Sequence, residues 1–453
     1  MSKAVKIRKG ANIKLTGEPD KVFVNAPEAD VVALKPTDFH GLTPKMVVKE
    51  GDAVKNGTTL FIDKYRNDIK FTSPVSGTVK EIVRGAKRRI LEVVISVDGN
   101  NTQEDFGAAD PKSLSRDEII QKLLAAGVWP FIRQRPFATI ANPAEMPKAV
   151  FITALDTAPL APDFDFIAQR NEEVFQKGLD ALTKLTEGDT HLNISGEAGH
   201  AASFENMKGV RINRISGPHP AGNVGVQIHH IAPINKGEVV WTLNAMAVLT
   251  IGKLFETGKF DASTVVALTG SEVKAPKYYR TVMGASVKSI VDGNINTDNT
   301  RIISGNVLTG TKVEETGFVG FYDNQMTVIP EGDDRQFLLA DGWLGLGLKK
   351  FSLSRSYFSW LMPNKQYQLD TNLNGEHRPF VVTGQYEKVF PFNIYPVQLL
   401  KSILVNDIEQ MENLGIYEVA PEDFALCEYA CTSKIDAQDI VRKGLDVVQA
   451  ECA

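Results

Sequence analysis

The pattern of the sequence changes once, at an acidic, small-residue linker at positions 100–111. Before this linker, β-branched residues interrupted by glycine at short intervals predict short strands joined by tight turns, and no long helix fits there. After it, helical and strand patterns alternate, which is typical of α/β layers. Because 453 residues at about 150 per domain also exclude a single core, we expect an α+β multidomain protein.

Composition and charge exclude two further classes of protein. The chain carries 50 Lys and Arg against 55 Asp and Glu, a net charge of −5, so it has no basic field for generic binding of nucleic acid. Hydrophobic residues make up 43% and charged residues 23%, which is ordinary globular composition and excludes a mainly disordered chain. We therefore expect folded domains and no nucleic-acid partner.

The sequence carries no recognisable targeting or membrane-spanning signal. Basic residues interrupt every apolar run near the N-terminus, so no signal peptide is expected. The longest strongly apolar stretch, at 239–252, is shorter than the ~20 residues that a membrane-spanning helix needs. Cys427, Cys431 and Cys452 are too few and too clustered for a disulfide framework, which favours a reducing compartment. The expected location is inside the cell, without a transmembrane segment.

The first hundred residues resemble the barrel-sandwich hybrid fold of biotinyl and lipoyl carrier domains. The resemblance rests on Ser-Pro-Val-Ser-Gly-Thr-Val at 73–79 and on a strand at 90–97. In such carriers a Lys at a hairpin tip holds the cofactor, and Lys64 lies at about that place. Tyr65 and Arg66 follow it where carriers favour small residues. A β module used for packing or docking is therefore the favoured interpretation, and a carrier is the alternative.

The region after the linker alternates helices and strands. A Ser-Arg-Asp-Glu capping box at 115–118 predicts a first helix that stops at Gly127. Further predicted elements are a strand at 148–153, a helix ending at Gly188, a strand at 238–242 and a helix ending at Gly258. This alternation indicates an α/β layer domain with a partly parallel sheet.

Two shorter regions complete the predicted architecture. Strands at 265–270 and 301–308, with one short helix between them at 278–290, describe a small α+β module. The remainder is less periodic at first and then helical, with Asp436 as the N-cap of the last helix. The predicted domains are 1–105, 106–258, 259–329 and 330–453.

The usual chemical motifs are missing from this sequence. It has no nucleophile elbow, zincin, Walker A or dinucleotide fingerprint. His229 and His230 are adjacent, and on a strand their side chains would point to opposite faces, so we expect no metal site. Cys427 and Cys431 have C-x3-C spacing and lack the four thiolates of an iron–sulfur cluster. We expect both cysteines to pack in a helical region.

The most unusual segment is 127–137, which brings three aromatic, two arginine and two proline residues into one short loop. Aromatic faces stack on flat rings and guanidinium groups donate to carbonyl oxygens, so the loop suits a flat, weakly polar ring. The alternative is a contact between domains or subunits, because the same residue types anchor protein interfaces. The candidate residues are Trp129, Phe131, Arg133, Arg135 and Phe137.

A set of short motifs recurs in a specific order along the whole chain. They are IRKG at 7–10, KLTG at 14–17, SPVSGTV at 73–79, RQRPF at 133–137, GPHPAG at 217–222 and EDFALC at 422–427. Each is weak alone, and their order and spacing together are specific. On these motifs the chain resembles the NqrA family, which supplies one of the subunits of the sodium-translocating NADH:quinone reductases of bacteria.

The resemblance implies a fold and a cofactor state. The domains would be a barrel-sandwich hybrid, a Rossmann-like α/β domain, a small SLBB-type (ubiquitin-like) module and a C-terminal helical domain. In the related RnfC and in the flavin-bearing subunit of complex I, a glycine-rich loop approaches the FMN phosphate. Here 128–133 carries bulky side chains and a proline instead, and Cys427 and Cys431 are the remnant of a cluster motif. The implication is a chain that binds neither FMN nor an iron–sulfur cluster.

The resemblance also implies a function. It implies a peripheral subunit on the cytoplasmic face of the bacterial inner membrane, within a six-subunit complex that includes membrane-embedded NqrB and the subunit NqrC. The complex reduces quinone with electrons from NADH and exports sodium, with NAD and flavins bound by other subunits. We expect this chain to contribute to quinone binding or reduction, at the 127–137 loop, and to assembly. It would have no catalytic residue, no metal and no independent activity.

Several alternatives stay open at this point. Ubiquinone and menaquinone both fit the sequence as acceptors. A stand-alone flavin-dependent NADH dehydrogenase is a second function, which the missing glycine loop argues against. A lipoyl or biotin carrier is a third, and it depends on Lys64.

Overall fold

The chain begins with a succession of short strands, and the computed structural model describes residues 3–333 and 346–452. The first strands are β1 (Ala4–Lys6), β2 (Asp20–Asn25), β3 (Val31–Leu34), β4 (Pro44–Met46), β5 (Ala53–Val54), β6 (Thr59–Asp63), β7 (Lys70–Thr72), β8 (Gly77–Arg84) and β9 (Ile90–Val97). Strands β3 to β9 form two small sheets, in the orders β3-β9-β8-β5 and β4-β6-β7. Buried Leu60, Phe71, Val79 and Val93 belong to one core cluster of these sheets. The predicted β module is therefore present.

The first two strands leave this module, which differs from the predicted range of 1–105. Strand β1 pairs in parallel with residues 214–216 of the α/β sheet, and β2 pairs in parallel with the Lys277–Val282 strand of the third unit. Strands of three and six residues carry little pattern of their own, so the sheet edge that accepts them decides where they lie. The N-terminal 25 residues consequently tie three units together.

The second unit follows the linker. Its elements are α1 (Arg116–Ala125), β10 (Arg133–Arg135), β11 (Thr139–Ile140), β12 (Ala149–Thr153), α2 (Phe164–Ala168), α3 (Glu172–Thr183), β13 (Asp189–Ser195), β14 (Arg211–Ser216), α4 (Val224–Ile231), β15 (Val240–Asn244) and α5 (Ala245–Thr257). The predicted capping box is present, because Ser115 accepts from the Glu118 N–H while the Glu118 carboxylate accepts from Ser115. Gly258 ends α5 with φ +73°. Local capping thus sets these helix ends as predicted.

The sheet of this unit reverses its winding once. Its strand order is β1-β14-β13-β12-β15-β10-β11, and β12 pairs in parallel with both β13 and β15. The chain winds from β12 through β13 to β14 and then returns to the other side of β12 as β15. In open α/β sheets, ligands bind beyond the carboxyl ends of the strands at such a reversal. Thr153 and Asn244 mark those ends here.

The third unit contains β16 (Ser263–Thr269), β17 (Lys277–Val282), α6 (Lys288–Val291), β18 (Thr300–Ser304), β19 (Thr311–Val313) and β20 (Gln325–Pro330). The sheet order is β19-β18-β20-β16-β17-β2. The helix predicted at 278–290 is wrong over most of its length, because 277–282 is a strand and only 288–291 is helical. Tyr-Tyr-Arg-Thr-Val has high β propensity, and pairing with both β16 and β2 satisfies its backbone.

The C-terminal region is helical, as predicted. Its helices are α7 (Gln385–Val389), α8 (Pro396–Leu404), α9 (Ile408–Asn413), α10 (Ala425–Ala430) and α11 (Ala437–Cys452), and α11 begins one residue after Asp436. Their apolar faces share a core with strand residues of the α/β sheet, such as Phe151 and Ile215. Within 3–333 and 346–452, no helix is long and apolar enough to cross a membrane.

Close packing of α3 on α5 yields a stability prediction. A Cβ at Gly252 would lie 2.0 Å from the Val174 carbonyl oxygen, so one helix must move to admit it. We expect Gly252→Ala to lower the free energy of unfolding by about 2 kcal/mol, despite the better helix propensity of Ala. Urea denaturation measures this loss. Gly375→Ala is the control, because its Cβ would meet only the flexible Lys434 side chain at 3.2 Å. Equal stability of the two variants would contradict the prediction.

Candidate functional site

Strand pairing brings the predicted 127–137 loop to the reversal point of the sheet. Gly127, at φ +69°, follows α1, and a short turn at Trp129–Phe131 leads into β10. Strand β10 runs antiparallel to β15, with Arg133 opposite Thr242. The loop therefore lies beside the carboxyl end of β15.

Trp129 is a core residue. It is fully buried, its indole Nε1–H donates to the Ala141 carbonyl oxygen at 2.8 Å, and its ring meets the Trp241 ring edge-on at a centroid distance of 5.3 Å. Its ring therefore presents no exposed face on which a ligand could stack. The side chain instead supports the loop from below.

Arg135 and Phe137 join the α/β unit to the C-terminal helices. The buried Arg135 guanidinium donates to Glu422 at 2.6 Å and to Asp423 at 3.1 Å. Burial disfavours this charge, but the two carboxylates outweigh burial and raise the pKa of Arg135. The Phe137 ring lies 6.4 Å from the Tyr417 ring, edge to face. These two residues thus make the interdomain contact that was the alternative interpretation of the loop.

Phe131 and Arg133 line a cavity. The cavity has a volume of about 190 Å³ and lies at the carboxyl ends of β12 and β15, where Thr153 and Asn244 also contribute to its wall. Of the five predicted residues, these two reach the cavity, and Trp129, Arg135 and Phe137 lie elsewhere. Adjacent segments of one loop thus serve three different environments.

Two aromatic residues that the sequence reasoning missed complete the cavity wall. Phe321 and Tyr322 come from the loop before β20, and the Phe321 ring lies 4.5 Å from the Phe131 ring. The Arg133 guanidinium lies over the Tyr322 ring at 5.4 Å, and the Tyr322 hydroxyl donates to the Pro130 carbonyl at 2.7 Å. A Phe-Tyr pair in a turn was the available signal, but nothing local connects it to a loop about 190 positions earlier.

The β module holds the Phe321 loop in place. The Phe321 N–H donates to the Asp38 carboxylate at 2.8 Å, and Phe39 packs edge-on against the Phe321 ring at 4.8 Å. Burial raises the pKa of Asp38 to about 6, although Lys35 opposes this shift. Burial likewise raises the pKa of Tyr322 above its usual range, so the hydroxyl keeps its proton at neutral pH. Three units therefore meet at the cavity.

The cavity combines two recognition elements. The rings of Phe131, Phe321 and Tyr322 offer flat apolar contact, and Arg133 offers a permanent cation with several N–H donors. This combination suits a flat ring bearing carbonyl oxygens.

The position of the lost glycine loop does not fit a flavin phosphate. Val128, Trp129 and Ile132 are fully buried in the core, and Pro130 has no N–H to donate. Backbone amides cannot form a phosphate cradle where side chains fill the space. We therefore derive no step through a flavin at this position.

The remaining sequence candidates are in structural settings. His229 and His230 lie on helix α4, so their expected placement on a strand was wrong; His229 Nδ1 is 2.6 Å from Glu418, and its Nε2 accepts from the Asn393 N–H. Cys427 and Cys431 are buried at α10, and burial raises the pKa of Cys427. Among the described residues, no cluster of three or more His, Cys, Asp or Glu side chains could hold a metal ion.

The hairpin tip at Lys64 is fixed to the α/β unit. Buried Asp63 accepts from the Tyr65 N–H and from Arg66 Nε, and Arg66 also donates to the Ile140 carbonyl at 3.2 Å. A carrier lysine needs a tip that moves between sites. The contacts therefore favour the packing interpretation of this module.

The Arg135 ion cluster yields a second prediction. Arg135→Ala leaves Glu422 and Asp423 buried without their cation, and we expect a loss of about 3 kcal/mol in the free energy of unfolding. Urea denaturation measures it, with earlier proteolysis of the C-terminal helices as a second readout. Lys443→Ala, which removes an exposed ion pair with Asp439, is the control and should change stability little.

A compensated variant separates charge from packing. If buried charge is the cause, Arg135→Met combined with Glu422→Gln and Asp423→Asn should recover most of the lost stability. A triple variant as unstable as Arg135→Ala would contradict this explanation.

Comparison with known proteins connects this architecture to one family. Residues 5–98 match the NqrA N-terminal barrel-sandwich hybrid domain, 114–260 the NqrA second alpha/beta domain, and 265–315 the NQRA C-terminal domain. Two solved structures of an NAD+-reducing [NiFe]-hydrogenase are more distant. The air-oxidised form has 11% identity and a TM-score of 0.38, and the match covers 74% of this chain and 61% of that chain.

Relatives that carry the name of the NqrA component of Na(+)-translocating NADH-quinone reductase match along the whole chain. The protein of Marinomonas sp. (strain MWYL1) is 37% identical over 98% of this chain and 99% of its own length. That of Neisseria meningitidis serogroup B is 38% identical over 99% and 100%. That of Rhodopirellula baltica is 36% identical over 98% of each chain. Identity at this level along essentially the full length means that the chain belongs to the NqrA family of Na+-translocating NADH-quinone reductases.

Proposed function

We propose that this chain, as the NqrA component of a complex that reduces quinone with electrons from NADH and exports sodium, binds the quinone head group. The site is the cavity between Phe131, Arg133 and Tyr322. The observation that carries the proposal is the convergence of two predicted loop residues and two aromatic residues of another unit at the reversal point of the α/β sheet. The chain contributes quinone binding and assembly rather than NADH oxidation.

The chemistry of the wall fits a quinone head group. A quinone ring is flat and apolar on its faces, and its polar atoms are two carbonyl oxygens at the rim. Phe131 and Phe321 can contact the faces, and Arg133 can donate to a carbonyl oxygen. Pockets for whole drug-sized ligands run to about 300–1,000 Å³. A cavity of about 190 Å³ therefore suits the ring alone and leaves the tail outside.

The wider assignment follows the family. In this proposal the chain sits peripherally on the cytoplasmic face of the bacterial membrane and binds other subunits, NqrB and NqrC among them. Flavins and NAD belong to those partners, and the isolated chain has no activity of its own. The strand order β14-β13-β12-β15 supports a Rossmann-like second domain, and the third unit is taken as an SLBB-type, ubiquitin-like module.

The two alternative functions have less support. A stand-alone flavin dehydrogenase needs a phosphate cradle where Val128 and Trp129 are buried. A lipoyl or biotin carrier needs a mobile lysine, and Arg66 pins the tip beside Lys64 to Ile140.

Titration calorimetry with a water-soluble, short-tail quinone tests the proposal. We expect saturable binding to the purified chain and a loss of roughly tenfold or more in affinity for Arg133→Met, since a hydrogen bond from a charged donor contributes about 1.5–3 kcal/mol. Arg214→Met is the matched control, because it removes an exposed arginine of the same unit that pairs with Glu205.

Two results would count against the site. Absence of binding heat for the unaltered chain would leave it as an adaptor whose role exists only in the assembled complex. Equal affinities for the Arg133 and Arg214 variants would move the quinone elsewhere. Thermal melts of both variants exclude loss of folding as the cause.

A further inference from the structure

A loop at residues 346–365 exposes large apolar side chains, and we call it the 346–365 surface. Leu346, Phe358, Trp360 and Leu361 are 66%, 45%, 52% and 58% exposed. Single exposed apolar residues are ordinary, but several on one loop mark an interaction surface.

The loop is folded onto itself and anchored to the body of the protein. Buried Ser359 accepts from the Ser352 N–H at 3.0 Å and donates to the Ser352 carbonyl oxygen at 3.2 Å. Gly347 lies against the Tyr357 ring, which brings the two arms of the loop together. The Tyr367 N–H donates to the Lys14 carbonyl oxygen at 2.8 Å just beyond the loop. The apolar side chains are therefore presented by a defined structure.

The charge of the loop is opposite to that of the chain. Between positions 346 and 369 the sequence has four cationic residues and no Asp or Glu, in a chain with a net charge of −5. Two of these cations lie over aromatic rings: Arg355 at 5.7 Å from Trp360, and Lys350 at 5.7 Å from Tyr357. Cations and exposed aromatic side chains thus occupy the same face.

We propose that the 346–365 surface is a contact for an anionic phospholipid bilayer. Trp360 and its apolar neighbours lie at headgroup depth, and Arg355 and Lys350 meet the lipid phosphates. Tryptophan side chains prefer this interfacial depth, and clustered cations are attracted to anionic headgroups. The inference goes beyond quinone binding and does not depend on it.

Charge complementarity favours a lipid surface over a protein partner. A protein interface of this size would ordinarily mix both signs of charge around its apolar centre. Here the loop carries one sign only, and it combines that sign with exposed aromatic and aliphatic residues. This is the composition of membrane-surface segments.

Cosedimentation of the full chain with vesicles tests the proposal. We expect binding to phosphatidylcholine vesicles that contain about 30% phosphatidylglycerol, little binding to phosphatidylcholine alone, and release by salt. Arg355→Gln/Trp360→Ser should reduce the partition coefficient by about tenfold. The conservative Arg355→Lys/Trp360→Phe should retain binding.

The β6–β7 hairpin offers a matched control. Lys64 lies 5.6 Å from the ring of Tyr65, which is 75% exposed, so Lys64→Gln/Tyr65→Ser removes an equivalent exposed pair elsewhere. It should leave vesicle binding unchanged, and every variant should melt at the temperature of the unaltered chain.

Three outcomes would overturn the proposal. They are no binding of the unaltered chain to anionic vesicles, an equal effect of the two double variants, or binding only to vesicles that carry the membrane-embedded subunits. The last would assign the surface to a protein partner. The quinone titration should be the same for the Arg355/Trp360 variant and the unaltered chain, so failure of this inference is distinguishable from failure of the quinone site.

Discussion

The ion cluster of Arg135 with Glu422 and Asp423 connects more of this molecule than any local contact does. Its members lie almost 290 positions apart, and they join β10 to the C-terminal helices. Asp423 also accepts from the Ala420 N–H, and it sits so close to helix α4 that a Cβ at Gly225 would approach its carboxylate oxygen to 2.5 Å. A buried charge cluster tolerates little displacement, because each member depends on the others for its solvation. The position of β10, and with it the cavity wall, depends on this cluster.

The cavity itself depends on contacts between units. Arg133 comes from the α/β unit, Tyr322 from the third unit, and Asp38 of the β module holds the loop that carries Phe321. Strands β1 and β2 add further connections by joining the sheets of the second and third units. The site is therefore a property of the assembled chain, and a single excised domain would lose part of its wall.

The sequence predicted half of the candidate site. The loop at 127–137 was correctly singled out by its composition, and Phe131 and Arg133 do line the cavity. Composition could not distinguish them from Trp129 and Arg135, because the same residue types serve stacking, core packing and buried ion pairs. Phe321 and Tyr322 were missed since nothing within their own segment indicates which loop they will meet.

Local interactions alone were sufficient to set the ends and faces of several elements. The capping box at Ser115, the stop of α5 at Gly258 and the apolar faces of the C-terminal helices follow from hydrogen bonds and periodicities that span a few residues. Strand partners did not follow in this way: β1 and β2 left the β module, and 277–282 became a strand between two others. Short strands obtain their stability from the edge that accepts them, and that edge exists only after distant parts of the chain have folded together.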